Sequence, residues 1–530
     1  MRQHRRTLRL LGPLLLVAMA ASVTGAAPVP PAAPTPLDRV VPAPASTAPG
    51  GSPYRITRGT HIRIDATREA RGVGEYLAKI LRPSTGYPLP VTTRGAGGIR
   101  LRLTEGPFGT EGYRLDSGRS GVTVTAARPA GLFHGVQTLR QLLPAAVEKD
   151  SVQPGPWLVA GGTITDTPRY GWRGAMLDVS RHFFTVEQVK RYIDQLALYK
   201  INKLHLHLSD DQGWRIAIDS WPRLATYGGS TEVGGGPGGF YTKADYKEIV
   251  RYAAFRYLEV VPEIDMPGHT NAALASYAEL NCDGVAPPLY TGTEVGFSSL
   301  CVGKEVTYDF VDDVIREIAA LTPGRYLHIG GDEAHSTSHE DYVTFMDRAQ
   351  PIVAKYGKTV VGWHQLTGAA PAEGALAQYW GLDGTSAEEK AQVAKAAQNG
   401  TGLILSPADR VYLDMKYTKE TPLGLSWAGY VEVRRSYDWD PGAYLPGVPG
   451  GAVKGVEAPM WSETLENSAH IEFMAFPRLP GVAESGWSSA ASHDWERYKV
   501  RLAAQAERWD ALGIEWYRSP QVPWPAAGGR

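Results

Sequence analysis

Two adjacent carboxylates, Asp332 and Glu333, follow a pair of glycines at the end of the apolar run 326–329. Such a run predicts a short buried strand, and glycines let the backbone turn sharply at its end. Two carboxyl groups this close repel one another, which separates their pKa values and keeps one group protonated near neutral pH. The pair is therefore a candidate for acid/base catalysis, and the alternative is an ordinary solvated loop.

Seven other apolar runs also end in polar or aromatic side chains. The eight runs are 175–179, 204–208, 258–264, 326–329, 360–363, 376–380, 403–405 and 457–461. The side chains at or just after their ends are Ser180-Arg181-His182, Ser209-Asp210-Asp211, Asp265 with His269, Asp332-Glu333, Trp363-His364, Trp380, Tyr412 with Asp414, and Trp461-Ser462-Glu463. Barrel enzymes build their sites from the C-terminal ends of many strands, so this pattern favours a catalytic pocket over a solvated loop.

Helical stretches separate several of the runs, at 186–199, 244–256, 308–321, 342–356 and 387–399. Alternating strands and helices are typical of parallel βα units, and eight units close a (β/α)8 TIM barrel. We predict an α/β catalytic domain of this kind over residues 167–517. Residues 53–166 predict a small α+β accessory domain, with strands at 62–64, 99–103, 112–115 and 122–124 and a helix at 131–143. His134 in that helix is expected to be a satisfied core or helix-end histidine rather than a ligand.

Composition and termini limit the protein's partners and location. The 530 residues include 54 basic and 55 acidic side chains, a balance that gives no indication of nucleic acid or an anionic membrane as partner. A basic start, an apolar run from 10 to 23 and small residues to Ala27 predict a signal peptide over 1–27, so we expect a secreted, extracellular protein; the alternative is a retained anchor. Residues 28–52 are rich in Pro and Ala and predict a disordered linker, and 518–530 predict a C-terminal tail.

Two cysteines, Cys282 and Cys301, lie between the same two predicted elements. In an oxidising compartment they would form a disulfide that closes one loop and shapes the rim of the site. Two free thiols are the alternative. Their spacing is poor evidence for zinc, which favours close Cys pairs joined by further Cys or His.

Carboxylates, one arginine and several tryptophans suit a neutral sugar, because aromatic faces stack on the ring and charged groups bind its hydroxyls. A retaining glycosidase with two catalytic carboxylates needs them about 5 to 5.5 Å apart across the scissile bond. Neighbouring residues make a poor facing pair. We infer that one of Asp332 and Glu333 is the acid/base, that the other assists it, and that the nucleophile comes from elsewhere.

Four motifs in order resemble glycoside hydrolase family 20, the β-N-acetylhexosaminidases, over about residues 53–517. They are Leu177-Asp-Val-Ser-Arg181-His182-Phe, His205-Leu-His-Leu-Ser-Asp210-Asp211-Gln-Gly-Trp214, Glu263-Ile-Asp265-Met-Pro-Gly-His269 and His328-Ile-Gly-Gly-Asp332-Glu333. The resemblance implies exo-acting, retaining hydrolysis of terminal β-linked N-acetylglucosamine or N-acetylgalactosamine. In that mechanism the substrate's own acetamido oxygen attacks the anomeric carbon and forms an oxazolinium intermediate, and no cofactor is required.

The resemblance also implies residue roles. Glu333 would protonate the leaving oxygen and then activate water, while Asp332 would orient the acetamido group and stabilise its positive charge. The other implied roles are Tyr412 on the acetamido carbonyl, Trp363, Trp380 and Trp461 around the acetamido methyl, Arg181 and Glu463 on the 3- and 4-hydroxyls, Asp414 on the 6-hydroxyl, Trp427 beside the ring or leaving sugar, and Asp210, Asp265 and His269 supporting Glu333. Asp211 is the alternative to Asp210, with capping of the following segment as its other role.

Two other functions remain as alternatives. A metal-dependent barrel hydrolase is suggested by His205 and His207, whose spacing puts two imidazoles on one strand face. A non-catalytic sugar-binding protein is the second, although the complete acid pair argues against it. For the family 20 hydrolase and for the sugar-binding protein, the expected partner is an amino-sugar oligosaccharide, from chitin fragments, glycan termini or cell-wall sugars. Neither the preference between gluco and galacto sugars nor the oligomeric state follows from the sequence.

Overall fold

The computed structural model describes residues 33–95 and 98–526. The predicted signal peptide at 1–27, residues 28–32 of the predicted linker and residues 527–530 of the predicted tail lie outside the described residues. Within the described part, no helix combines the length and apolar character needed to cross a bilayer.

The N-terminal domain is an α+β unit, as predicted. A seven-stranded sheet has the order β1-β9-β6-β7-β5-β3-β4, and β2 and β8 form a separate pair. The elements are β1 Ser46–Pro49, β2 Tyr54–Ile56, β3 Ile62–Ile64, α1 Arg68–Thr85, β4 Val91–Thr92, β5 Gly98–Leu103, β6 Tyr113–Gly118, β7 Gly121–Ala126, α2 Pro129–Leu142, β8 Trp157–Val159 and β9 Gly162–Asp166.

The predicted disordered linker is wrong for residues 33–52. A short 3-10 helix at Leu37–Arg39 precedes β1, and β1 pairs antiparallel with β9 at the sheet edge. Leu37, Val40 and Val41 are buried in the core. Strand pairing uses backbone groups and tolerates proline at an edge, so a Pro-rich composition does not prevent it when a few apolar anchors are present.

The second domain is a closed parallel barrel of eight strands, which confirms the predicted TIM barrel. All eight predicted strands are present, although the last begins and ends earlier than its apolar run. The strands are β10 Trp172–Asp178, β11 Lys203–His207, β12 Glu259–Glu263, β13 Tyr326–His328, β14 Thr359–Trp363, β15 Leu376–Tyr379, β16 Gly402–Leu405 and β17 Val453–Ala458.

Helices surround the barrel, and the five predicted from periodicity are all present. The helices are α3 Val186–Leu198, α4 Arg223–Thr226, α5 Lys243–Ala254, α6 Asn271–Ser276, α7 Glu305–Leu321, α8 His339–Lys355, α9 Ala387–Gln398, α10 Ala408–Val411, α11 Val433–Tyr437, α12 Ser468–Ala475, α13 Arg478–Trp487, α14 Trp495–Ala503 and α15 Ala506–Leu512. Capping boxes begin α3 at Thr185 and α5 at Thr242, where side chains satisfy backbone amides that lack helical partners.

The barrel interior changes from apolar to polar along the strands. Towards the strand starts, one apolar cluster contains Trp172, Val261, Val361, Leu376 and Ile404. The next inward positions are the buried polar residues His205, Glu263, His328, Gln378 and Glu457. Since parallel strands alternate inward and outward side chains, this second layer lies directly beneath the C-terminal mouth.

Buried ion pairs join the two domains. Lys200 Nζ lies 3.0 Å from Asp166 Oδ2, and Arg173 Nη2 lies 2.5 Å from Glu111 Oε1. His134 is buried, with Nε2 3.2 Å from the same Glu111, so it is the core histidine that the sequence predicted.

The predicted C-terminal tail packs on the barrel domain over its described part. The ring of Trp524 lies 5.9 Å from that of Trp509 and 4.7 Å from that of Trp516. A segment rich in proline, alanine and glycine is thus held by an aromatic cluster through one tryptophan.

Candidate active site

The turn after β13 places Asp332 and Glu333 at the barrel mouth. Gly330 and Gly331 have φ of 66° and 98°, which favour glycine. A Cβ on Gly330 would lie 1.7 Å from Asp265 Oδ1, and the same oxygen accepts a hydrogen bond of 3.0 Å from Gly331 N. Asp265 therefore shapes the turn, and no side chain larger than hydrogen fits beside it.

Two candidate site residues have unusual backbone conformations. Glu333 has φ of 43° and His269 has φ of 55°, in the left-handed region that non-glycine residues rarely adopt. Such conformations cost about 1–3 kcal/mol and persist where surrounding structure imposes them. Strain at these two positions, which face each other, is consistent with a functional site.

The two carboxyl groups titrate differently. Burial and the nearby charge of Glu333 raise the pKa of Asp332 to about 6, although His269 opposes the shift. Burial also acts to raise the pKa of Glu333, but hydrogen bonding to His269 and its charge outweigh burial, and the pKa is lowered. The Glu333 side chain is 28% exposed and that of Asp332 is 9% exposed. The predicted separation of pKa values is present, with the raised value on Asp332.

His269 connects the carboxylate pair to Asp210. Its Nε2 lies 3.4 Å from Glu333 Oε2 and 3.7 Å from Asp332 Oδ2, while Nδ1 lies 3.1 Å from Asp210 Oδ1. Burial would lower the pKa of His269, but the charges of Asp210 and Asp332 raise it well above its usual value. The imidazole is therefore a buried cation held between three carboxylates.

The structure separates Asp210 from Asp211. Asp211 Oδ1 accepts hydrogen bonds from Asn271 N at 2.9 Å and from Ser298 Oγ at 2.5 Å, so Asp211 caps α6. That helix belongs to the next βα unit, whereas the sequence suggested a cap on the segment immediately following Asp211. Asp210 contacts His269, which supports the choice of Asp210 as the supporting carboxylate.

Arg181 is buried and fixed by three polar partners. Its Nη2 lies 3.0 Å from Asp210 Oδ2, its Nη1 lies 3.3 Å from Asp178 Oδ2, and its Nε donates to Gln212 Oε1 at 3.1 Å. The guanidinium also lies over the Trp461 ring, 4.9 Å from the centroid. This anchoring presents a rigid cation to the pocket.

Tyr412 and four tryptophans form an aromatic box. The ring centroids of Trp363 and Trp461 are 5.7 Å apart, those of Trp380 and Trp427 are 6.0 Å apart, and Tyr412 lies 5.8 Å from Trp427. Trp363 is fully buried, whereas Trp427 is 51% exposed at the rim. The box therefore runs from the barrel interior to the surface and suits an apolar group attached to a ring.

Several buried polar atoms in this pocket have no hydrogen-bond partner among the described residues. They are Asp332 Oδ1, Asp265 Oδ2, Glu463 Oε2, and Oδ1 and Oδ2 of Asp414. Burial raises the pKa of Asp414 well above its usual value, reinforced by Glu463. Buried polar groups are normally paired, so this concentration indicates a ligand rich in hydroxyl and amide groups.

Sequence reasoning missed the residues that hold the site residues in place. Asp178 Oδ2 accepts from Ser462 N at 3.1 Å and contacts Arg181, which joins the loops after β10 and β17. Gln365 Oε1 accepts from Trp380 Nε1 at 3.0 Å, and Glu263 Oε1 accepts from Trp363 Nε1 at 2.9 Å. Asp178 and Glu263 stood within the recognised motifs, but their positions inside apolar runs gave no sign of these contacts.

The metal-site alternative at His205 and His207 gains no support from the geometry. His205 uses Nε2 with Glu263 at 2.9 Å and Nδ1 with Glu457 at 2.8 Å. His207 uses Nδ1 with Glu263 at 2.5 Å and Nε2 with Asp210 at 2.6 Å. All four ring nitrogens are hydrogen-bonded to carboxylates, which leaves no nitrogen lone pair directed at an open coordination site.

Comparison with known families agrees with this geometry. The model described as "Glycosyl hydrolase family 20, catalytic domain" matches residues 170–342 and 335–490, and "Glycosyl hydrolase family 20, domain 2" matches residues 38–167. This chain belongs to glycosyl hydrolase family 20. The family and the glycoside hydrolase class expected from the four motifs are thus confirmed. Domain 2 begins at residue 38, in agreement with the ordered segment before β1.

Similar proteins cover nearly the whole of this family 20 hydrolase. A beta-N-acetylhexosaminidase from Cellulomonas fimi is 43% identical over 482 residues, which are 90% of this chain and 95% of the relative. The solved GH20 beta-N-acetylhexosaminidase from Streptomyces coelicolor A3(2) is 81% identical, with a TM-score of 0.93 over 93% of this chain and 100% of that chain. A mutant Streptomyces plicatus beta-hexosaminidase in complex with product (GlcNAc) is 80% identical, with a TM-score of 0.93 over 93% of this chain and 99% of that chain.

Proposed function

We propose that this family 20 hydrolase removes terminal, non-reducing β-linked N-acetylglucosamine or N-acetylgalactosamine, with retention of configuration and with the substrate's acetamido oxygen as nucleophile. The observation that carries the proposal is the position of Asp332, whose Oδ2 lies 3.7 Å from His269 Nε2 and whose charge raises the pKa of Tyr412 in the aromatic box. A carboxylate there matches the polar side of an acetamido group, and the box matches its methyl. The product complex of the Streptomyces plicatus relative also supports an N-acetylglucosamine ligand.

The first step forms a bond from the acetamido carbonyl oxygen to the anomeric carbon and breaks the glycosidic carbon–oxygen bond. Glu333 donates a proton to the departing oxygen, so the leaving sugar departs as a neutral alcohol. The resulting oxazolinium ring carries positive charge on the former amide. Asp332 accepts the amide N–H and stabilises that charge, and Tyr412 donates to the carbonyl oxygen and orients it.

In the second step Glu333 changes from acid to base. Water attacks the anomeric carbon, Glu333 as carboxylate takes the water proton, and the oxazolinium ring opens to restore the acetamido group. The two displacements attack that carbon from opposite faces and each inverts it. The product therefore keeps the β configuration. The enzyme ends in its starting protonation state, ready for another substrate.

Substrate binding prepares Glu333 for proton donation. Without substrate its pKa is lowered, chiefly because His269 opposes the effect of burial, and its side chain is 28% exposed. A sugar bound over it would remove that water and increase the desolvation of the carboxylate, which raises its pKa. The proton is then held where the leaving oxygen lies.

Exo action is supported by the burial of the residues proposed to bind the sugar hydroxyls. Arg181 and Asp414 are 3% and 2% exposed, and with Glu463 they form a polar wall suited to the 3-, 4- and 6-hydroxyls of one sugar. Beside it, a groove of 760 Å³ is lined by Glu333, Trp380 and Trp427 among other residues. One terminal sugar contacts the polar wall, and the leaving chain lies in the groove.

The test is hydrolysis of aryl β-glucosaminides and β-galactosaminides, each with and without the N-acetyl group. Turnover should require the acetyl group, since it supplies the nucleophile. Efficient hydrolysis of the free amines or of plain glucosides would contradict the proposal. Adding chito-oligosaccharides and glycan termini to the panel identifies the natural substrate class, for which we propose chito-oligosaccharides because the groove accommodates a continuing chain.

We also propose that the protein is exported and that the segment 1–27 is removed. Support comes from its basic, apolar and small-residue pattern and from the Cys282–Cys301 disulfide, which is typical of oxidising compartments. N-terminal sequencing of protein from culture medium should start near Ala27 or Pro28. A cell-retained product that keeps Met1 would contradict export.

A further inference from the structure

A single buried carboxylate, Glu263, occupies the end of β12 beneath the active site. Its Oε2 accepts from His205 Nε2 at 2.9 Å and from His207 Nδ1 at 2.5 Å. Its Oε1 accepts from Trp363 Nε1 at 2.9 Å and lies 3.0 Å from His328 Nδ1. The residue is fully buried, so its charge is retained only because donors surround it.

One arm from Glu263 leads to the acid/base. His207 Nε2 lies 2.6 Å from Asp210 Oδ2, Asp210 Oδ1 lies 3.1 Å from His269 Nδ1, and His269 Nε2 lies 3.4 Å from Glu333 Oε2. Carboxylates and imidazoles alternate along the whole path. Since both nitrogens of His207 face carboxylate oxygens, both donate, and the ring is a cation.

The other arm leads to the acetamido pocket. Trp363 is fully buried and packs with Trp461, and its indole N–H has Glu263 Oε1 as acceptor. An indole ring has one donor, so this hydrogen bond fixes the rotation of the ring in the box. The two arms use different oxygens of the same carboxylate.

We propose that Glu263 is a positioning residue that couples the acid arm to the acetamido wall: through His207 and Asp210 it orients His269 beside Glu333, and through Trp363 it orients the wall that holds the acetamido group. The inference rests on the proposed function and extends it. Glu263 touches no substrate, and its effect passes through the residues it holds.

The charges around Glu263 explain why glutamine cannot replace it. Three hydrogen-bond donors, on His205, His207 and Trp363, share its two oxygens, whereas a glutamine offers one acceptor oxygen and one donor nitrogen. Either His207 or Trp363 then faces an N–H group. The other charged or titratable groups around the two arms are His205, His328, Asp265, Arg181, Asp332 and Glu457.

The acid arm and the acetamido arm can be distinguished by leaving group. A dinitrophenolate departs without a proton, whereas a phenolate needs Glu333 as acid. In kcat/KM, which reports the first step, damage to the acid arm alone should slow only the phenyl glycoside, and damage to the acetamido wall should slow both. N-acetyl and N-propionyl substrates report on the wall independently, because a displaced wall discriminates less against the longer acyl group.

The experiment compares Glu263→Gln with Glu457→Gln in the full chain, with kcat and KM measured on phenyl and dinitrophenyl N-acetyl-β-glucosaminides. Glu457 is an equally buried carboxylate of the same layer, bonded to His205, Gln378 and Trp172 but not to His207 or Trp363. Glu263→Gln should lose at least about tenfold in kcat/KM on the dinitrophenyl glycoside and more on the phenyl glycoside, with weaker N-acyl discrimination. Glu457→Gln should stay within about threefold of wild type on both substrates.

Equal kinetic constants for the two variants would overturn the proposal, as would a Glu263→Gln variant that loses thermal stability alone. If Glu263→Gln does not fold, His207→Gln and Trp363→Phe decide. His207→Gln should slow the phenyl glycoside selectively, and Trp363→Phe should slow both; the same response from the two variants would also overturn it. A wild-type enzyme inactive on both glycosides would instead refute the proposed function.

Discussion

Asp332 and Glu333 are neighbours in sequence but differ in exposure and in partners. Asp332 is nearly buried and its pKa is raised, whereas Glu333 is more open and its pKa is lowered, mainly because His269 outweighs burial. Mutual repulsion alone would not decide which of the two pKa values rises. The surroundings decide it, and they favour an ionisable group under the acetamido group and an accessible acid at the leaving oxygen.

Replacement of Glu333 by glutamine should remove proton donation and water activation together. We expect Glu333→Gln to reduce kcat about 10²- to 10⁴-fold on a phenyl N-acetyl-β-glucosaminide, the range for loss of a general acid/base. Steady-state kinetics on phenyl and dinitrophenyl glycosides measures it. The dinitrophenyl substrate should retain more of the first step, and near-native turnover of the phenyl substrate would refute the acid/base role.

The raised pKa of Asp332 predicts an acidic limb in the pH profile. Asp332 must be ionised to stabilise the oxazolinium charge, so kcat/KM should fall as the pH drops through about 6, where this carboxyl takes up a proton. Above that pH the group stays ionised and kcat/KM no longer depends on its protonation. In Asp332→Asn, kcat should fall about 10²- to 10³-fold and the limb should vanish; a limb that persists in that variant belongs to another group.

At the scale of elements, the loop between β12 and α7 supports the rim of the site. Cys282 and Cys301 form a disulfide that closes this loop, as predicted. Within it, Gly292 O accepts from Gln212 Nε2 at 2.8 Å, and Gln212 in turn holds Arg181. A loop restrained at its base therefore stabilises the cation proposed to bind the sugar hydroxyls.

Removal of the disulfide should weaken the protein and loosen this support. For a sequence separation of 19 residues, the double change Cys282→Ser and Cys301→Ser should lower the free energy of unfolding by at most about 3 kcal/mol. We also expect KM to rise more than kcat falls, because the role proposed for Arg181 is to bind the sugar and not to react. Chemical denaturation and kinetics measure both effects, with reduced wild type as control. Unchanged stability and KM would show that the loop keeps its conformation without the disulfide.

The barrel strands could be predicted from sequence because each is an apolar run between polar segments. Strand β1 could not, since Pro49 and neighbouring small residues resemble a linker and its stability comes from pairing with β9. The same limit applies within the site. Residues at strand ends, such as Asp332, stood out, whereas Glu263 and His207 lie inside apolar runs, where sequence alone does not show that polar partners converge.

At the scale of the whole molecule, the accessory domain is joined to the barrel by buried polar contacts. Lys200 Nζ lies 3.0 Å from both Asp166 Oδ2 and Tyr113 Oη, and it stands over the Trp487 ring at 4.5 Å. Burial lowers the pKa of Lys200, although Asp166 opposes the shift. Because these buried polar contacts need groups from both domains, the folding of each domain depends on the other.

Loss of that cation should destabilise both domains together. We expect Lys200→Met to lower the free energy of unfolding by about 3–5 kcal/mol, since Asp166 is left buried without its cationic partner. The exposed pair of Lys355 and Asp312 provides the control, and Lys355→Met should cost less than about 1 kcal/mol. Calorimetry should show one transition shifted downwards; two separate transitions in wild type would contradict the coupling of the domains.

The central claim is that the substrate's acetamido oxygen, positioned by Asp332 and the aromatic box, is the nucleophile. The most direct measurement is kcat/KM for aryl N-acetyl-β-glucosaminides whose acetyl methyl carries none, one, two or three fluorines. Fluorine withdraws electrons from the carbonyl oxygen, so kcat/KM should fall with each fluorine, by on the order of 100-fold across the series, which corresponds to about 2.7 kcal/mol. Equal values of kcat/KM across the four substrates would contradict the account.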